Sequence, residues 1–273
     1  MKILYLIIAS QDPVHINDEK CQQTTWRNYE ESEVIWLRGG NSTKYDLKAM
    51  TLYVEVEDTY INILRKTILG IQWCLANLNF DYIVRGNVST YFNCASIDKK
   101  LARFVSCEPF FGGYIDFSKK NSEHGKEVEF INGGALFMNR ETASMLSEME
   151  VGEWEETPDD VAISQYLKSV GVKLKWIPRG NVGMTGILTS RSYYRMKSSA
   201  NSSMASMRMK LLYAIHQEKN VIRKLFLWLK FQANEIMNFK RNFRSLQDYV
   251  LNVYSVVNSK VNSLRVSKPR KLI

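Results

Sequence analysis

The chain opens on an unbroken apolar run. Residues 2–9 (KILYLIIA) hold one charge and then seven apolar positions, which predicts a strand covered on both faces. Residues 33–37 (EVIWL) form a second such run, stopped by Gly39 and Gly40. From Asp58 to Asn79 the period changes. Ile61, Leu64, Ile68, Ile71 and Leu75 recur every three or four residues, a helical stripe with Asp58 and Thr59 as candidate caps. Phe80–Val84 reads as a third strand and Ser96–Phe104 as a helix. Phe110–Phe117 and Gly134–Met138 read as strands, Glu141–Met149 and Asp159–Ser169 as helices, and Val172–Ile177 as a last strand before Pro178. Strands alternating with helices predict an α/β fold, a sheet with helices on both faces. No internal repeat is visible.

Residues 190–207 shift to Ser, Met, Arg and Asn, the composition of a mobile loop or linker. Beyond them the pattern over 208–240 predicts an amphipathic helix. Ile222, Leu225, Phe226, Leu229, Ala233 and Ile236 lie along one face, with Lys219, Arg223, Lys224 and Lys230 on the other side. The chain thus divides into a body over 1–200 and a basic helical extension over 207–273. Charge sharpens the division. Residues 207–273 carry 14 Lys/Arg against 3 Asp/Glu, while the first 206 carry 23 against 25. A basic tail suits nucleic acid, anionic lipid or an acidic partner, and charge alone does not choose. Phe226, Trp228 and Phe231 beside Lys and Arg fit a membrane-surface helix. They fit equally a helix packed on the body or in an oligomer. No nucleic-acid motif accompanies the charge, so no nucleic acid is expected.

Composition narrows the class. At 273 residues with 45% hydrophobic content the chain can bury a sizeable core, and 5 Pro with 14 Gly argue against a linker-rich or disordered chain. Cys21, Cys74, Cys94 and Cys107 show no CxxC spacing and read as small apolar residues of a reducing compartment. His15, His124 and His216 are too far apart in sequence to suggest a histidine-rich metal site. The opening run is too short for a signal-peptide core or a membrane span, so a cytoplasmic location is expected.

Three stretches can carry chemistry. Arg85-Gly86-Asn87-Val88-Ser89 follows a strand, where open α/β sheets bind ligands; a plain polar turn reads the same way. Phe130-Ile131-Asn132-Gly133-Gly134-Ala135 holds paired glycines, which let backbone approach a ligand or simply make a tight turn. Thr157-Pro158-Asp159-Asp160-Val161 starts a helix. Thr157 or Asp159 can cap it, and two acids there either favour the helix dipole or supply one cap and one general base.

Taken in order, Gln23-Thr24-Thr25-Trp26, Glu33 to Gly39, Asp58 to Thr67, Phe130 to Met138 and Asp159-Asp160-Val161 resemble motifs of one family. The chain is similar, from about Cys21 to Pro178, to the β-1,3-galactosyltransferase and Fringe-type glycosyltransferases. The resemblance implies a GT-A-like, Rossmann-like mixed sheet flanked by helices. It implies inverting transfer of a hexose of galactose or N-acetylglucosamine type from a UDP-sugar to a saccharide acceptor. Asp160 is then the catalytic base. Asn132, Gly133, Gly134 and Asp159 fall on the acceptor side, and Ser10, Arg85, Asn87, Ser89 and Arg179 around the donor nucleotide.

One departure stands out. The family's Lys-x-Asp-Asp-Asp stretch, whose aspartates hold a divalent metal, corresponds here to Arg85 through Ser89, with no carboxylate; the family's later metal-binding histidine is missing too. A hard cation needs carboxylate anchors, and the nearest acids, Asp81 and Asp116, lie outside the motif. No metal cofactor is therefore expected. Either fixed cations (Arg85, Arg179 and Arg191 are the candidates) neutralise the donor's diphosphate, or the chain is an inactive subunit of a glycan-assembly complex. Arg85 has a second reading as a structural ion-pair partner. A lipid-linked oligosaccharide acceptor, as in lipopolysaccharide or capsule synthesis, would place the basic tail on the inner face of a membrane. Nucleic-acid binding through the tail is the remaining alternative.

Overall fold

The opening run forms β1 (Ile3–Ile8), buried along its whole length. Ile3, Tyr5 and Ile7 enter one core and Leu4, Leu6 and Ile8 the other, as the two-residue period of a strand covered on both faces requires. The structure, a computed structural model, describes residues 1–28, 32–104, 108–118, 127–181, 191–196, 205–220, 222–224 and 226–230. After β1 come α1 (Pro13–Gln23), β2 (Ser32–Gly40), β3 (Lys44–Asp46), β4 (Thr51–Glu55), α2 (Ile63–Asn77), β5 (Tyr82–Asn87), β6 (Thr90–Phe92) and α3 (Cys94–Leu101). The second half adds β7 (Phe111–Ser118), β8 (Val128–Asn139), α4 (Arg140–Ser147), α5 (Asp159–Ser169), β9 (Leu174–Trp176), β10 (Arg179–Asn181), β11 (Tyr193–Arg195) and α6 (Ala205–Gln217).

Eight strands make one mixed sheet in the order β3-β4-β2-β1-β5-β8-β7-β9. β4, β2, β1 and β5 are parallel, and β8 runs antiparallel between β5 and β7. One face is covered by α2, α4 and α5, which supply Leu64, Ile68, Leu146, Ile163 and Leu167 to its core. The other is covered by α1, α3 and α6, with Cys21, Ile97, Met209 and Leu212, and by the small sheet β10-β11-β6. This is the α/β sheet flanked by helices that the alternating pattern predicts. The parallel strands end on one edge, at Ala9, Gly40 and Asn87, where α2 and α5 begin.

Several elements differ from expectation for identifiable reasons. β2 runs through Gly39 and Gly40 instead of stopping before them. A Cβ on Gly39 would lie 2.4 Å from the carbonyl oxygen of Val56, so this glycine admits a close backbone pass. β5 extends through Arg85, Gly86 and Asn87, which are strand and not turn, and β8 begins well before Gly134. α2 starts at Ile63; Asp58 and Thr59 do not cap it, and Asn62 stands at its N-cap without a capping bond, its amide donating instead to the Glu57 carbonyl and the Thr59 hydroxyl. Neither Thr157 nor Asp159 caps α5, whose N-cap is Pro158. Within the expected linker, Tyr193–Arg195 is a strand with Tyr193 and Tyr194 fully buried; residues 197–204 lie outside the described ones. The helix expected over 208–240 is α6, non-helical Glu218–Asn220, and further helical residues at 222–224 and 226–230. The part of that helix beyond Lys230, with Phe231, lies outside the described residues, as do Cys107 and His124. Cys21, Cys74 and Cys94 are buried, and burial pushes the Cys21 and Cys74 thiols up to about 11 and about 12.

Candidate active site

Arg85 sits on β5 between Leu6 of β1 and Leu136 of β8. Its register matches that of Ile83, so its side chain enters the α2–α5 layer, where it is 1% exposed. A guanidinium buried that deeply is costly unless it is paired. It donates through Nη1 to the Gly133 carbonyl at 3.0 Å and forms a close ion pair through Nη2 with Asp159 at the start of α5. Its Nε has no hydrogen-bond partner among the described residues. Arg85 therefore ties three stretches together: the end of β5, the glycine pair of β8 and the first residue of α5.

Asp160, next on α5, accepts a hydrogen bond at Oδ2 from the Gly133 N–H at 2.8 Å and at Oδ1 from its neighbour Val161 at 3.0 Å. Gly133 is needed for this contact. A Cβ there would lie 3.1 Å from Asp160 Oδ2, 3.2 Å from Asp160 Cβ and 3.4 Å from Arg85 Nη1. The glycine thus accommodates protein side chains. Burial first, and the Asp159 charge second, push the Asp160 carboxyl above its ordinary value; the Gly133 N–H, the Arg85 charge and the Val161 N–H oppose that rise. A carboxylate accepting one N–H per oxygen keeps lone pairs for a third partner, and a raised pKa makes it a stronger base.

Beside this centre, Asn132 Oδ1 accepts from Arg179 Nη1 at 2.9 Å and from the Gly134 N–H at 3.2 Å, and Asn132 Nδ2 donates to Asp116 at 3.3 Å. The Arg179 guanidinium lies 4.2 Å from the Tyr114 ring centre, a cation–π contact, and burial pulls its pKa below the ordinary value. Asn132, Gly133, Gly134, Asp159 and Asp160 are thus brought together with both Arg85 and Arg179. Tyr114 is a member that sequence reasoning missed. Its only sequence signal is its place in the predicted strand, because the irregular pairing after Gly113 sets its position.

The donor-side candidates are more dispersed. Ser10 follows β1, its hydroxyl 2.6 Å from His15 Nδ1. Asn87 ends β5, and its carbonyl accepts from the buried Gln22 amide at 3.1 Å. Ser89 lies just beyond, its carbonyl accepting from the Met196 N–H at 2.9 Å. Arg191 is grouped instead with Lys100: burial first, then the charges of Arg191 and Arg103, hold that ammonium below its usual range. Asp81 lies at the opposite end of β5, bonded to the Lys2 N–H at 2.7 Å. The slot from Arg85 to Ser89 therefore offers a paired guanidinium, an amide and a hydroxyl, a set that does not fit a hard divalent cation. Among the described residues no three of His, Cys, Asp and Glu are grouped to hold a metal.

Asp58 and Lys66 gain a role that helix capping did not foresee. Lys66, 2% exposed, pairs with Asp58 at 2.5 Å and donates to the Ala9 carbonyl at 3.0 Å. It pins the start of α2 to the end of β1, and burial lowers its pKa while Asp58 opposes that shift.

No family profile matches the sequence, and no curated protein matches it at a significant level. Solved structures do resemble it. One is a glycosyltransferase involved in glycosylation of the major capsid of PBCV-1, at 10% identity, covering 77% of this chain and 100% of that one with a TM-score of 0.47. Another is the galactosyltransferase LgtC in complex with donor and acceptor sugar analogs, at 11% identity, covering 81% and 98% with a TM-score of 0.46.

Proposed function

We propose that the chain is a GT-A-like, inverting glycosyltransferase that moves a hexose from a UDP-sugar to a saccharide acceptor, with Asp160 as the base. The observation that carries this reading is the Asp160 carboxylate itself. It stands in the first turn of α5 beside the glycine pair of β8, is oriented by the Gly133 N–H, and is pushed toward a higher pKa by burial and Asp159. In the displacement, the acceptor oxygen attacks the anomeric carbon and its proton passes to Asp160. The bond from that carbon to the diphosphate oxygen breaks, and UDP leaves with the electron pair. Arg85 acts as a positioning residue, since it holds Asp159 and the Gly133 carbonyl. Arg179 is the cation assigned to the leaving diphosphate, in place of a metal.

The basic tail favours an acceptor anchored in an anionic membrane. Ile222, Phe226 and Leu229 are exposed at helical spacing beside Arg223, Lys224 and Lys230. Among the described residues no helix is long and apolar enough to cross a bilayer; the contact proposed here is a peripheral one, on the cytoplasmic face. The test is a UDP-sugar panel titrated by calorimetry with and without chelator, followed by turnover of the bound sugar. Binding and metal-free transfer are expected. Binding without turnover on any acceptor would favour the inactive-subunit reading, and absence of UDP binding would end both.

A further inference from the structure

Between the start of α2 and the segment 151–158 that leads into α5 lies a cavity of about 280 Å³, near the lower end of the range for small-molecule sites. Its walls include Tyr60, Ile61, Arg65, Trp154, Glu155 and Asp159. Asp159 joins it to the site already described, through its ion pair with Arg85 and its bond in sequence to Asp160.

The lining has a particular chemistry. Tyr60 and Ile61 stand 79% and 78% exposed, an apolar surface held in water at the mouth of a cavity. Trp154 is half-buried and packed on the α2–α5 core. Polar groups of both kinds surround these surfaces. Glu155, Glu156 and Asp159 bring acceptor oxygens and Arg65 brings donors to the lining. Neither helix start facing the cavity is closed by a side-chain cap at its N-cap residue, although the Val161 and Ile63 N–H groups are already taken by Asp160 Oδ1 and the Tyr60 carbonyl. Asp159 is already paired with Arg85, but the carboxylates of Glu155 and Glu156 on the same lining disfavour a phosphate. Aromatic faces ringed by mixed donors and acceptors match an uncharged sugar ring, which has apolar C–H faces and a rim of hydroxyls.

We propose that this cavity is the acceptor subsite, seating a saccharide ring against Tyr60 and Trp154 so that the chain runs past Asp159 to Asp160. The assignment rests on the glycosyltransferase reading for its purpose, but it makes its own claim about binding. The test uses the full chain on a printed array of bacterial and mammalian glycans, with UDP titrated separately by calorimetry. Wild type should retain a defined set of glycans. Tyr60→Ala should weaken that binding about tenfold or more, in line with the loss of an aromatic contact. Tyr60→Phe should keep it, and UDP affinity should not change. The exposure of Tyr60 means that neither variant should shift the melting temperature. Retention of no glycan by wild type, full binding by Tyr60→Ala, or a parallel fall in UDP affinity would each overturn the assignment. Tyr60-dependent glycan binding by a chain that ignores UDP would uphold the subsite and sink the transferase reading instead.

Discussion

At the scale of single residues, the chemistry turns on how one buried cation and two adjacent acids share a small space. Arg85 neutralises Asp159, which leaves Asp160 held by backbone N–H groups and available to a substrate proton. Asp160→Asn keeps the shape but removes the base. Transfer should fall by about 10²–10⁴-fold while UDP-sugar affinity, read by calorimetry, stays near wild type. Near-normal turnover would remove Asp160 from the mechanism. Because the Asp160 pKa is raised and the base must be ionised, the rate should climb with pH through a limb above the ordinary carboxylate range. An acid limb at the ordinary value would show that the titrating base lies elsewhere. The metal slot gives a second residue-scale expectation. Asn87 and Ser89 are neutral ligands, so transfer should persist in excess chelator, and strict dependence on manganese or magnesium would mean that another set of oxygens anchors the donor. Arg85→Ala should cut transfer more than Asn87→Ala, and should also lower the melting temperature. It leaves Asp159, whose side chain is 15% exposed, without its partner, so the cost should fall below the roughly 3–5 kcal/mol of a fully buried pair.

At the scale of elements, legibility tracks the kind of burial. β1, α4 and α5 bury apolar residues at regular spacing, and their positions are readable in the sequence. α1 is not, because the positions it buries include Asp18, Glu19 and Gln22, so no apolar stripe marks it. Its one local signal is Asp12-Pro13, an N-cap whose carboxylate accepts from the Val14 N–H at 2.7 Å, with proline in the first turn. β5 reads too short for a related reason: a buried arginine looks like the start of a turn until its partner, 74 residues away, is known. The acids and the glycine pair are readable as candidates, but their convergence depends on sheet register that no local pattern encodes. α6 makes its own prediction. Its Met209, Leu212 and Ile215 enter the core, and His216 packs on Tyr91 and Tyr194, with Nδ1 2.9 Å from the Tyr91 hydroxyl. Burial, and then the Lys224 charge, push His216 down to about 4. Its folded value is below its unfolded value, so its contribution is present above about pH 6.5 and lost as pH falls toward about 4. At about 1.4 kcal/mol per unit, the loss is capped at roughly 3 kcal/mol. Chemical denaturation across that window should show His216→Phe with a flatter pH dependence than wild type. Identical slopes would mean that this histidine titrates alike in the folded and unfolded chains.

At the scale of the whole molecule, the decisive fact is that the basic charge is concentrated at one end. The first 206 residues carry two more acids than bases, so they offer an anionic surface little attraction, whereas 207–273 carry eleven more bases than acids. α6 is not free to reach a membrane, since its apolar side is spent on the body and Arg208 is buried, donating to the Met196 carbonyl at 2.9 Å. The helical residues beyond α6 are placed differently. Leu227 and Trp228 pack against the body, while Ile222, Phe226 and Leu229 stay exposed with Arg223, Lys224 and Lys230 around them. Such a helix can rest on the protein by one side and present the other to lipid headgroups. Two chains truncated at different points separate this from simple packing. A chain ending at Asn220 keeps α6, so it should fold, with a melting temperature lowered only by the loss of the Leu227 and Trp228 packing. It should nevertheless lose binding to vesicles containing phosphatidylserine, to which the full chain binds with an affinity that falls as salt rises. A chain ending at Met207 also loses Met209, Leu212 and Ile215 from the core, and it should unfold or precipitate. If instead the Asn220 truncation still sediments with the vesicles, the charge that matters lies in the body or in α6. If it breaks an oligomer and leaves vesicle binding intact, the exposed stripe is a contact between copies. The salt dependence then decides what holds the full chain to the vesicle: an electrostatic contact weakens as the Debye length shrinks from about 10 Å at 0.1 M to about 3 Å at 1 M, whereas insertion of Phe226 and Leu229 alone would not.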